Sequence, residues 1–181
     1  MKRIFCAAAL ALVVLSTAAA AQAQSSSRDA TREKLRTLLA SAGARKDVSV
    51  AFRQSDKNPY NFVGVMRDGL SNCDSLEIVI GVSNNDTIGF RVYPHYNGAY
   101  VNIDKARNGP GLMRKLLNMS DENFLFWGAD DSGDVFSGYT VTLESGFPEE
   151  AIVIILRSIR NTDGFVGAMR PMIDGTAAPA K

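Results

Sequence analysis

The stretch GADDSGDV, from Gly128 to Val135, sets Asp130, Asp131 and Asp134 close together around a Ser-Gly pair. Clustered carboxylates are the raw material of a cation site, so the spacing has to be tested. A Ca²⁺-binding EF-hand loop needs an acid at its first position, a glycine at its sixth and a bidentate glutamate further on. Setting Gly133 at the sixth place puts Gly128 first, and setting Gly138 there puts Gly133 first; neither brings a carboxylate. Asp and Gly are also what a tight hairpin needs, because Asp bonds its local backbone and Gly is free in φ. The loop therefore reads as a turn between two strands, and no metal ligand is assigned.

His95 is the single histidine, so any Ser-His-Asp or Cys-His mechanism must use it. It stands beside Pro94 and just before Asn97-Gly98, at a strand end, where a base is poorly preorganised. One imidazole and one thiol fall short of the four ligands of a zinc site. The segment RNGPGLM has glycines but lacks the lysine and spacing of a phosphate loop. No catalytic residue and no cofactor is assigned, and the chain reads as a non-enzyme. Cys73 reads as a buried small residue, with an intermolecular disulfide or a reactive thiol as its other roles.

The aromatics carry more information. Tyr93, Tyr96 and Tyr100 cluster around one hairpin, and Trp127 sits in the strand before the acidic turn. They read either as cross-strand packing on the sheet's second face or as a sticky face for an extended peptide or another subunit. The last helix, with Ile152, Ile155 and Ile159, is apolar on most sides. It is either central to the core or covered by a second subunit.

The ends bound the compartment. Lys2 and Arg3 precede an uncharged apolar run from Ile4 to about Ala20, and Ala21-Gln22-Ala23 supplies a small-x-small cleavage pattern. Residues 1–23 read as a secretory signal peptide, 24–28 as a flexible leader, 29–173 as one domain and 174–181 as a flexible tail. The expected location is periplasmic or secreted, without stable membrane insertion after cleavage. Removing Lys2 and Arg3 takes the formal charge from +1 to about −1, which leaves no electrostatic footprint for nucleic acid. Only Cys73 survives cleavage, so no internal disulfide forms and the core must hold the fold.

Periodicity supplies the elements. Leu35, Leu38, Leu39 and Ala42 mark a helix over about 29–42, with Gly43 as its stop and Ser26-x-x-Asp29 as a capping box. Val48, Val50 and Phe52 alternate as a strand, and residues 62–67 form the next. SLEIVIGVS, TIGFRVYP and AYVNID follow as a meander, with Asn97-Gly98 the strongest hairpin signal. RNGPGLMRKLLNMS shifts to helical spacing. NFLFWGAD and DVFSGYTVTLE are two more strands, and a long helix opens at FPEEA with Pro148 in its first turn. The fold class is α+β: an antiparallel sheet of five or more strands with helices mainly on one face.

The second half of the chain, LMRKLLNMSDENFLFWGADDSGDVFSGYTVTLESGFPEEAIVIILRSI, resembles the core of the YbjN / type III secretion chaperone-like superfamily. A Leu-rich helix leads into a strand, an Asp/Gly turn, a second strand and a Pro/acid turn that opens the last helix. REKLRTLLASAG is similar to that family's first helix. The resemblance implies a type III secretion chaperone-like sandwich, a homodimer, no catalysis, and an unfolded stretch of a partner laid along an apolar surface. Unlike those cytoplasmic chaperones, this chain carries an export signal. The reading is a non-enzymatic exported protein- or peptide-binding module, chaperone-like or regulatory, with the contacts placed at Tyr93, Tyr96, Tyr100, Trp127, Ile152, Ile155 and Ile159. The alternatives are a small-ligand or cation-binding periplasmic protein, and a hydrolytic enzyme using His95.

Overall fold

The structure, a computed structural model, describes residues 27–123 and 125–175. The signal peptide, the Ser26 cap, Phe124 and residues 176–181 lie outside the described residues. Among the described residues no helix is long and apolar enough to cross a membrane.

Helix α1 spans 27–43. It runs through Gly43 rather than stopping before it, because the glycine leaves room for the Val50 backbone, whose N–H donates to the Gly43 carbonyl at 2.9 Å. Seven strands follow, interrupted by helices: β1 (Arg53–Gln54), β2 (Asn61–Met66), β3 (Ser75–Val82), β4 (Thr87–Tyr96), β5 (Ala99–Tyr100), α2 (Gly109–Asn123), β6 (Phe126–Ala129), β7 (Val135–Thr142), α3 (Glu149–Ser158) and α4 (Thr162–Asp174). They form one antiparallel sheet in the order β1-β2-β3-β4-β7-β6, with β5 added to β4.

Period-two alternation decides which face each strand buries. Phe62 and Met66, Leu76, Ile78 and Ile80, and Ile88, Phe90 and Val92 all turn to one face, where α1 and α3 cover them through Leu35, Leu39, Ile152 and Leu156. A second cluster joins Leu112, Leu116 and Met119 of α2 to Trp127, Val135 and the α4 residue Met169. Tyr139 packs against both clusters. The four helices among the described residues thus pack on one face, and the α+β architecture expected from the sequence is present.

Four local expectations need correction. The Val48–Phe52 alternation packs into the core but forms no ladder until Arg53, since Ser49 sits at φ 53° and breaks the extended run. AYVNID forms only the two residues of β5 plus one bridge from Asn102 to Asp134. The Asn102 side-chain oxygen, Oδ1, accepts the N–H groups of Asp104 (2.9 Å) and Lys105 (3.1 Å), which turns the chain out of the sheet. The long final helix is two helices separated by a 3₁₀ turn at Ile159–Asn161. α4 also takes in Asp174, the residue at which the tail was expected to begin.

Candidate functional site

Among the described residues every helix lies on one side of the sheet, and none covers its opposite face. Cross-strand register arranges its side chains in rows. One row reads Asn61, Gly81, Gly89, Thr140 across β2, β3, β4 and β7. The next reads Val63, Val79, Arg91, Gly138, Phe126. A third pairs Val65, Glu77 and Tyr93, with Phe136 and Gly128 beyond it. His95 and Tyr100 pair at the rim.

The rings of this face form one island. Tyr93 meets Tyr100 edge-on at 5.9 Å and Phe136 at 5.4 Å. Phe136 in turn meets Phe126 at 5.9 Å, and the His95 ring lies 4.1 Å from Tyr100. The Arg91 guanidinium rests 4.6 Å from the Phe136 centroid. Phe136 is buried by these neighbours, yet it belongs to neither core cluster. Phe126 at the sheet's edge remains 60% exposed. The Tyr100 hydroxyl donates to Glu77 at 3.0 Å. Burial and then the adjacent Glu77 carboxylate push the Tyr100 phenol up to about 12, so it remains a donor at any physiological pH.

Of the residues picked out in the sequence, Tyr93 and Tyr100 lie together in this island. Tyr96 has the opposite parity and turns to α4. Its hydroxyl donates to Asp174 (2.9 Å) and accepts from Arg170 (3.1 Å), with the Arg170 guanidinium also over its ring. Trp127 is 3% exposed on the helix face, edge-on to Phe165 at 5.8 Å. Ile152 and Ile159 are fully buried. These three are core residues and offer no surface to a partner. Ile155 is half-buried against the first core. On α3 the apolar residue that reaches solvent is Ile154, at 62% exposure.

Phe126, Phe136 and Arg91 went unread as site residues. In Phe-Leu-Phe-Trp every position is apolar, so alternation gives no parity; only the pairing of Trp127 with Ser137 settles which ring faces the helices.

The groups that could do chemistry are kept apart. Cys73 is buried in the first core, and its thiol donates to Asp163 Oδ1 at 3.3 Å. Burial first, then the Asp163 carboxylate, push that thiol up to about 12, which leaves it a poor nucleophile. His95 lies tilted against Tyr100 on the other face. The acidic stretch forms the β6–β7 hairpin. Asp130 Oδ1 accepts the N–H groups of Ser132 (3.0 Å) and Asp134 (3.1 Å), while Asp134 Oδ1 accepts the Asn102 carboxamide at 2.7 Å.

No family model matches the chain, and no curated protein matches it. Among solved structures, the ExsC–ExsE complex is similar to it, at 17% identity over 76% of this chain and 93% of that chain, with a TM-score of 0.44.

Proposed function

We propose that the chain is a non-enzymatic module that holds a protein or peptide segment on the uncovered face of its sheet. The observation that carries this reading is the aromatic island of Tyr93, Tyr100, Phe126 and Phe136 on a face that no helix covers among the described residues. Large rings fixed by one another lose little entropy on contact, and they offer apolar area beside polar tips. In this reading the module works after export, as the N-terminal sequence suggests, and it belongs with the YbjN-like, chaperone-like proteins. Assembly as a homodimer is part of the same proposal.

Capture tests it with two surface variants. The tagged full chain is expressed in cells that process its signal, and the copurifying proteins are quantified by mass spectrometry. Phe126→Arg, on the open face, should lose the partner, whereas Ile154→Glu, on α3, should keep it. Retention by Phe126→Arg, with its fold verified by circular dichroism, would place the contact elsewhere.

A further inference from the structure

The peptide-binding reading leaves the partner's chemistry open, and the ground beside the aromatic island narrows it. There the face drops into a trough of about 490 Å³. Its floor is the cross-strand pair Gly81 and Gly89, and a Cβ built on Gly89 would meet no heavy atom within 4 Å. Its walls include Arg28, Arg91, Tyr93 and Thr140, and among the described residues no carboxylate lines it. Neither arginine forms an ion pair among the described residues. Arg28 spends Nε and Nη2 on the Val82 carbonyl, at 3.0 and 2.7 Å, and stacks on Tyr60 at 3.5 Å. Arg91 has only a long contact to the Tyr93 hydroxyl, at 3.4 Å, and the Phe136 ring. Glu77, the carboxylate of the neighbouring row, is already held by Tyr100.

We infer that the trough seats the carboxylate of an acidic, extended peptide, with Arg91 as its partner and the glycine floor taking the peptide's backbone. Arg91 and Tyr93 are two residues apart on β4, a spacing of about 6.6 Å that an extended peptide repeats every second residue. An acid on Arg91 therefore puts an apolar residue against the Tyr93 ring. The recognised pattern is Asp or Glu, any residue, then an aromatic or aliphatic one, in either chain direction.

Selection of random dodecapeptides displayed on phage against the mature chain tests this. Enriched peptides should carry that pattern. A synthetic peptide of the enriched sequence should bind about tenfold more weakly to Arg91→Gln, and Arg91→Lys should recover part of the loss. Raising salt from low to high should weaken binding to the wild type more than to Arg91→Gln. Gly89→Val has open space for its side chain, so it should fold normally and block the trough. Enrichment without acidic residues, or equal affinity for wild type and Arg91→Gln, would overturn the inference and leave the binding reading standing. Failure of any peptide to enrich would count against both.

Discussion

Asp163 is the best single place to test how the loop before β3 is held. It lies in the first turn of α4 and is 7% exposed. Its carboxylate accepts the backbone N–H groups of Ser71 (3.0 Å), Asn72 (2.8 Å) and Cys73 (3.0 Å), and also the Asn72 carboxamide (3.0 Å). Asp163→Ala leaves those donors unmet in a mostly buried place. A hydrogen bond to a charged group contributes about 1.5–3 kcal/mol, and bonds sharing one acceptor do not add, so the loss should be about 4 kcal/mol. For a domain of this size that lowers Tm by roughly 8–16 °C. Asp163→Asn keeps one acceptor oxygen and should lose about half as much. Urea unfolding at constant m measures both. The pH dependence has a definite sign. Burial alone would raise the Asp163 pKa, but the amides of Ser71 and Asn72, the Asn72 side chain and the Cys73 thiol outweigh it and hold it below the usual carboxylate range. With the folded-state pKa depressed, the stabilisation is full above about pH 4, the unfolded value, and is lost as pH falls through the folded one. The gap between wild type and Asp163→Ala should therefore narrow in acid. A loss under about 1 kcal/mol, or a gap independent of pH, would refute the anchoring role.

Three further outcomes follow from the same geometry. Cys73, with its thiol pushed up to about 12, should resist iodoacetamide at pH 8 in the folded chain and react on unfolding, with Asp163→Ala labelled faster than wild type. Spectrophotometric titration should find one tyrosine ionising near 12, returning toward 10 in Glu77→Gln; because its folded pKa is raised, Tyr100 stabilises the fold below about pH 10 and weakens it as pH rises through 12. Millimolar Ca²⁺ should leave Tm within about 1 °C, since Asp130 and Asp134 already serve the hairpin, and a rise of several degrees would reveal a cation seat there.

The sheet was readable wherever apolar and polar residues alternate, as in Leu76–Val82 and Ile88–Val92, because a buried face forces that period on the sequence. The Asn97-Gly98 turn was readable too, both residues taking positive φ, 54° and 77°. What failed was parity and length. Trp127 reads in the sequence as lying on the sheet's second face, packed there or meeting a partner, and only the pairing with β7 decides that it points into the core. The segment opening at Pro148 reads as one long last helix from its caps and apolar run, whereas the chain turns at Ile159–Asn161 and continues as α4. The 3₁₀ turn between α3 and α4 places Asp163 against the 71–73 loop, a long-range contact that local periodicity does not encode. Arg91 was invisible as a site residue, since one exposed arginine in a strand matters only once Gly81, Gly89 and Phe136 are known to surround it.

The central claim is that the partner lies on the face of the sheet that the helices leave bare. A photo-crosslinking amino acid placed at Thr140 on that face, or at Lys34 on the outer side of α1, tests it in cells expressing the chain. Both positions are exposed. A discrete crosslinked species is expected from position 140, absent when Arg91→Gln or Gly89→Val is added, and none from position 34. A crosslink from position 34 with nothing from position 140 would contradict it.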